Sequence, residues 1–229
     1  RGLMPVKWIY NATRHVFINE RTGKELTHRQ MVTIRDAFVD SRKAYVQAIV
    51  EQYTSGAMTL AELNTALAAT TSETITALSV IGAGGQQRAA QMGPTFRDIV
   101  QSILDKQVPF FGKFMAETAN GSVSDAELAN RAGLYQDAAI QAYEQSNAAE
   151  AGIEDLPYWP GDWGTECKAG CRCAWEFETV YEGDDEVTYA TWQTEEDDAV
   201  CDDCQFRSNA WQRREIGRVR GAAPQVEAA

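Results

Sequence analysis

Hydrophobic positions recur with a helical period over most of the first 150 residues of the chain. The first such run begins behind Thr27-His28-Arg29-Gln30, where a threonine followed three residues later by a glutamine is typical of a helix start. The apolar positions of this run are Met31, Ile34, Phe38, Tyr45, Ile49 and Tyr53. Ser55-Gly56 closes it, so the pattern predicts one long helix between Thr27 and Ser55.

Three further runs of the same kind predict three more helices. One opens at Thr59-Leu60-Ala61-Glu62 and stops at Gly82-Ala83-Gly84-Gly85. The next begins near Pro94, and Pro109 is expected to kink or restart it because proline lacks a backbone donor. The last opens at Ser124-Asp125-Ala126-Glu127 and is expected to run to about Ala151. Residues 1–26 are expected to be irregular.

The composition and the hydrophobic pattern of the sequence change at Gly152. An aromatic, proline-bearing linker follows over residues 155–163, and then Ala174–Glu182 and Glu186–Gln193 are rich in aromatic and β-branched residues. Gly183-Asp184-Asp185 separates these two segments, which predicts a β-hairpin. We therefore predict a mainly α protein with a helical body over residues 1–153. A small cysteine-rich, zinc-ribbon-like β-hairpin module follows over 154–206, and a basic, partly extended tail over 207–229.

All five cysteines lie within this module, at Cys167, Cys171, Cys173, Cys201 and Cys204. Two close-set thiol groups on either side of a hairpin are typical of a tetrahedral thiolate zinc site. We predict that four of the five bind a structural zinc ion, and the sequence leaves open which one does not. Disulfides with one thiol left over are the alternative, which a reducing compartment disfavours.

Charge is divided unevenly along the chain, whose formal net charge is −12. Residues 1–153 carry 14 basic and 15 acidic side chains, residues 154–204 carry two and 16, and residues 205–229 carry five and two. This distribution excludes a generally basic nucleic-acid binder. The tail arginines either contact DNA or an acidic protein, or form the exposed face of a last helix. No apolar stretch reaches the roughly 18–20 residues that span a bilayer, so no membrane is expected.

No pattern in the sequence indicates an enzyme. The glycines at 82–85 follow no strand and precede no Lys-Ser/Thr pair, so a helix break is favoured over a phosphate-binding loop. His15 and His28 have no nucleophile pattern beside them. Phe110, Phe111 and Phe114 favour core packing over a partner-binding patch. We predict neither catalytic nor cofactor-binding residues.

The joint pattern resembles the minor head proteins of tailed bacteriophages, the head-morphogenesis group that is called phage Mu protein F-like. The most specific element is Pro160-Gly161-Asp162-x-x-Thr165-x-Cys167-x3-Cys171-Arg172-Cys173-x-Trp175. Further matching stretches are Tyr10–Arg14, the Gly56 to Leu60 turn, Gly82–Gly85, Phe110–Asn120 and Arg131-x-x-x-Tyr135. One departure is that Cys201-x-x-Cys204 lies downstream of the other cysteines, whereas the group commonly has such a pair upstream.

The resemblance implies a structural virion protein, a minor head or capsid component that acts in head assembly near the portal. It implies other virion proteins as partners (portal, major capsid or neck proteins), several copies in an assembly, and a location in the virion, with the host cytoplasm during assembly. The alternative is a zinc-ribbon adaptor or regulator of nucleic-acid transactions, with DNA contact through the basic tail. The acidic character of the module disfavours that alternative.

Overall fold

The computed structural model describes residues 8–11, 16–19, 22–153, 156–167, 170–194 and 200–221. The N-terminal two thirds of the chain are mainly helical, with helices at His28–Thr54 (α1), Leu60–Gly82 (α2), Gln86–Met92 (α3), Pro94–Ala119 (α4) and Asp125–Glu150 (α5). The four long helices are those predicted, and the short α3 was not predicted. Helices α1 and α2 begin where neighbouring residues predict. The Thr27 and Thr59 side chains each accept a hydrogen bond from the backbone three residues later, and the side chain at that position bonds back to the threonine N–H, which completes a capping box.

Helix α5 is the central element of the body, and α1, α2 and α4 pack around it. From Gln136 to Ala148, α5 is buried on nearly every side, including the polar residues Gln136, Asp137 and Glu144. At the end of α2, Gly82 lies directly against the α5 backbone, where a β-carbon would come 2.2 Å from the carbonyl oxygen of Tyr143. The glycine break therefore ends α2 and also lets it approach α5 closely.

The buried face of α1 lies one position away from several of the apolar residues that predicted the helix. Val39 and Val46 are buried, whereas Tyr45 is 53% exposed. Arg35 is buried in the same stripe, one turn after Met31 and one turn before Val39. The smaller β-branched residues thus face the other helices, and a charged side chain occupies a core position.

Helix α4 runs as one helix through Pro109. Of the predicted kink or restart, the restart is therefore wrong. The three phenylalanines that follow have different environments. Phe114 is fully buried, Phe111 is partly buried against the same cluster, and Phe110 is 65% exposed and stacks against Trp163. Core packing is thus confirmed for Phe114 and is wrong for Phe110.

The N-terminal segment forms an antiparallel sheet, which corrects the expectation that residues 1–26 are irregular. Its strands are Trp8–Asn11 (β1), Val16–Asn19 (β2) and Glu25–Thr27 (β3), in that order across the sheet. The strand β3 leads directly into α1, and Leu26 packs with Met31 of α1. Residues 12–14 of the matching Tyr10–Arg14 stretch, His15 and the acidic run at 195–198 lie outside the described residues.

The predicted hairpin is present as Ala174–Glu182 (β4) and Asp185–Gln193 (β5). Glu182 pairs with Asp185 across a two-residue turn, in which Gly183 has φ +64°. Glycine at the first central position with a positive φ is typical of a turn that matches the twist of a hairpin. Trp175 and Trp192 face each other in register and are both buried.

The described part of the predicted extended tail is ordered structure. A helix, Asp202–Ala210 (α6), crosses the boundary predicted between residues 206 and 207, and Arg214–Val219 (β6) pairs antiparallel with β5. The C-terminal sheet therefore has the order β4-β5-β6. Within the described ranges, no helix combines the length and apolar character needed to cross a membrane.

Candidate metal centre

Three segments of the C-terminal module carry the five cysteines into one cluster. Cys167 lies four residues after the aromatic linker at 155–163, and Cys171 and Cys173 immediately precede β4. Cys201 is the residue that caps α6, and Cys204 lies in the first turn of that helix. Cys171, Cys173 and Cys204 are buried, whereas Cys167 and Cys201 are partly exposed.

The sulfur atoms lie at distances that suit a shared metal ion. The Cys204 Sγ is 3.6 Å from both the Cys167 Sγ and the Cys171 Sγ, and the Cys167 Sγ is 3.6 Å from that of Cys201. Four thiolates around zinc at about 2.3 Å define a tetrahedron whose edges are about 3.8 Å. A disulfide requires about 2.0 Å between sulfurs, and all five cysteines are free. The cluster can therefore hold a metal ion.

Cys204 occupies the centre of this cluster. Cys167, Cys201 and Cys204 form one group of sulfurs within 4.8 Å of one another, and Cys171, Cys173 and Cys204 form a second. Because Cys204 belongs to both groups, it is present in each compact arrangement of ligands. The structure brings together all five predicted ligands, and the choice of four among them remains a prediction.

Hydrogen bonds among the thiols distribute the protons unevenly. Donation from the Cys173 and Cys204 thiols lowers the pKa of Cys171 to about 2. Those same bonds to Cys171 raise the pKa of Cys204 and of Cys173 far above the usual thiol range, and burial raises the pKa of Cys167 to about 11. The shared hydrogen bonds thus favour the charged form at Cys171 and the protonated form at Cys173 and Cys204. A metal ion binds thiolates, so it would take the place of the protons that the neighbouring thiols share.

Three tryptophans form the apolar support of the cluster. The Trp175 ring packs edge-on against Trp192 at 5.0 Å and against Trp211 at 5.1 Å between centroids. The Trp175 Nε1 donates to the carbonyl oxygen of Tyr158 at 2.9 Å, which ties the linker to β4. Cys171, Cys173 and Cys204 belong to the same buried cluster as Trp175 and Trp192. The cysteines therefore lie in a small apolar cluster of the module, to which Ala148 of α5 also belongs.

Polar contacts hold the loop before Cys167 and connect it to α6, which carries Cys204. The Asp162 carboxylate accepts hydrogen bonds from the backbone nitrogens of Trp159 and Gly164, at 3.0 and 2.8 Å. The Glu166 backbone N–H donates to Asp203 Oδ2 of α6 at 2.9 Å. Both contacts constrain the residues next to these two cysteines, and such outer contacts orient metal ligands.

The tail arginines contact this module. Arg207 is buried, donates to the Gly164 carbonyl at 2.7 Å and lies over the Tyr158 ring. Arg213 pairs with Glu178, and Arg218 pairs with carboxylates of Glu182, Asp185 and Glu215. Several carboxylates of the hairpin are therefore paired with arginines of the same chain.

Residues 170–173, which carry Cys171 and Cys173 and lead into β4, are called the cysteine loop below. Two residues of the helical body contact this loop and the start of β4, and neither was predicted to do so. Arg35 of α1 donates to the carbonyl oxygens of Arg172 and Cys173, and Glu144 of α5 accepts from the Trp175 backbone N–H. A sequence signal for Arg35 was available, because it stands in the apolar stripe between Met31 and Val39. Glu144 similarly lies one turn after the buried Ile140. No family model, curated protein or solved structure matches the chain.

Proposed function

We propose that this chain is a structural virion protein, a minor head component of a tailed phage, whose C-terminal module is organised by a zinc ion. The proposal rests on the resemblance carried by the segment from Pro160 to Trp175. One structural observation supports it. Several residues of that segment make specific contacts, and the partners in those contacts belong to this chain.

These roles are specific. Gly161, with φ +76°, lies where a β-carbon would be 3.4 Å from the Asp137 carbonyl oxygen, so the loop approaches α5 closely. Asp162 closes its own turn, and the Thr165 hydroxyl contacts the Cys167 Sγ at 3.2 Å. Arg172 pairs with Asp40 of α1 at 2.8 Å. A segment whose polar groups bond to the chain itself favours a structural role.

Zinc is the proposed metal because thiolate sets of four form closed structural sites with this ion. The module buries few large side chains besides its tryptophans, so metal binding would contribute much of its folding free energy.

The proposed partners are other virion proteins, namely portal, major capsid or neck proteins, with several copies of this chain in the particle and assembly in the host cytoplasm. Cross-linking mass spectrometry of purified particles tests this directly. We expect this chain in the particles, cross-linked to the portal or its neighbours. Its absence from purified, infectious particles would overturn the proposal.

The competing function, a zinc-ribbon adaptor for nucleic acids, is disfavoured by the contacts of the tail. Arg213 and Arg218 already pair with carboxylates of the hairpin and β6. Filter binding with duplex DNA at moderate salt distinguishes the two functions. We expect weak, salt-sensitive retention, whereas tight retention that is lost on truncating the chain after Ala210 would favour the adaptor.

A further inference from the structure

Arg35 of α1 is buried at the junction between the helical body and the cysteine loop. Its Nη2 donates to the Arg172 carbonyl at 2.8 Å, and its Nη1 donates to the Cys173 carbonyl at 3.1 Å. The same Nη1 lies 2.5 Å from Glu144 Oε1, and both side chains are fully buried. One planar guanidinium therefore holds two consecutive carbonyl groups of the loop and one carboxylate of α5.

The cysteine loop and the start of β4 also contact the helical body through their own donor groups. The Trp175 backbone N–H donates to Glu144 Oε2 at 2.9 Å. The Arg172 side chain extends to α1 and α5, where it lies 2.8 Å from Asp40 and 3.6 Å from Asp137. The helical body thus bonds to carbonyl groups at residues 172 and 173 and to the N–H group of residue 175, on either side of the start of β4.

We propose that Arg35 is a positioning residue for the thiolate cluster, through which the helical body sets the metal affinity of the module. This inference rests on the metal site of the proposed function. The forked guanidinium holds the backbone at Cys173 in the conformation that brings Cys171 and Cys173 to Cys204. By linkage, a metal ion that fixes the cysteines also tightens the contacts between α1, α5 and the loop.

A purely stabilising role does not require this arrangement. A buried ion pair contributes little net stability compared with well-packed apolar residues of similar volume. Apolar side chains cannot donate to the Arg172 and Cys173 carbonyls, and a lysine lacks the planar fork that reaches both at once. Arg35 thus supplies a geometry that neither packing nor charge alone reproduces.

The test uses the full chain and titrates it with Co²⁺ and Zn²⁺ against a chromophoric chelator. For Arg35→Lys we expect metal binding to weaken about 10–100-fold, the size typical for loss of an outer contact at a metal site. Far-ultraviolet circular dichroism should remain unchanged. Arg42→Lys is the matched control, because Arg42 lies on the same helix and pairs with the exposed Glu73. We expect its metal affinity to equal that of the wild type.

A second measurement needs no variant. Adding Zn²⁺ to the wild-type chain should slow hydrogen exchange at the Trp175 backbone amide, which donates to Glu144. Equal affinity in Arg35→Lys and the wild type, or exchange at Trp175 that zinc leaves unchanged, would overturn the positioning role while leaving the metal site intact. A wild-type chain that binds neither ion would instead overturn the proposed metal site, and this inference with it.

Discussion

The Arg35 guanidinium and the Glu144 carboxylate meet 2.5 Å apart with both side chains withdrawn from solvent. They are 109 positions apart in the chain and belong to α1 and α5. Since the same two side chains also bond the backbone at Arg172, Cys173 and Trp175, the pair joins the helical body to the cysteine-rich module. The body and the module thus share a polar junction, and Ala148 of α5 also belongs to the apolar cluster of the module.

The buried carboxyl of Glu144 gives the stability of the chain a dependence on pH. Burial raises its pKa from 4.5 to about 7, against the opposing effect of Arg35. The folded chain therefore binds this proton more tightly than the unfolded chain. The resulting stabilisation is complete below about pH 4.5 and is lost as the pH rises through 7.

Glu144→Gln isolates this effect, because glutamine does not titrate. We expect the free energy of unfolding of the wild type, relative to the variant, to fall by about 3 kcal/mol between pH 4.5 and 8. Chemical denaturation of both proteins at the same zinc concentration measures the difference, since the thiol titrations are then common to both. A difference that stays flat over this range would show that Glu144 keeps one protonation state throughout.

Close contact between α2 and α5 predicts a large effect of a single methyl group. Gly82→Ala would place a β-carbon 2.2 Å from the Tyr143 carbonyl oxygen, so the two helices must separate. We expect a loss of about 3 kcal/mol, as for other overpacked cores. Gly112→Ala is the control, because Gly112 lies in α4 with open space around it. That variant should be neutral or stabilised by up to about 1 kcal/mol. Equal thermal unfolding of the two variants would contradict this packing.

The two phenylalanines at 110 and 114 provide a second matched pair. Phe114 is fully buried and packs against Tyr135, whereas Phe110 is 65% exposed. We expect Phe114→Ala to cost about 3–5 kcal/mol and Phe110→Ala to cost less than about 1 kcal/mol, in urea unfolding experiments. Similar losses at both positions would contradict the assignment of Phe110 to the surface.

Loss of Cys204 should abolish metal binding, because this cysteine belongs to both compact groups of sulfurs. We expect Cys204→Ser to loosen the module and change the emission of the tryptophans that pack beside the cysteines. The far-ultraviolet signal of the long helices should persist, since the two large apolar clusters of the helical body contain no residue of the module. Collapse of the helical signal would show instead that the body depends on the module for its folding.

The features that the sequence predicted best are those decided by neighbouring residues. Thr27 and Gln30 bond each other within one turn, and Gly183 provides the turn between β4 and β5. Such contacts join residues a few positions apart, so they depend little on the tertiary structure. The clustering of Cys171 and Cys173 was likewise predicted from their close spacing in the sequence.

The features that the sequence did not predict depend on distant contacts. Arg35 lies in the core because Glu144 and the cysteine loop meet it there and Asp36 pairs with its Nε. The arginine-bearing strand β6 has few apolar residues, and it pairs with β5 while Arg218 bonds Glu182 and Asp185. The N-terminal strands have three or four residues each and are short for recognition by alternation.

The zinc content and sulfur coordination of the protein, purified under reducing conditions, test the central claim most directly. Elemental analysis should find one zinc ion per chain, and X-ray absorption should show sulfur neighbours at about 2.3 Å. Thiol counting after chelation should then recover all five cysteines, in agreement with their free state in the structure. Protein without stoichiometric metal but with a folded module, or with intact disulfides among these cysteines, would contradict the proposed zinc site.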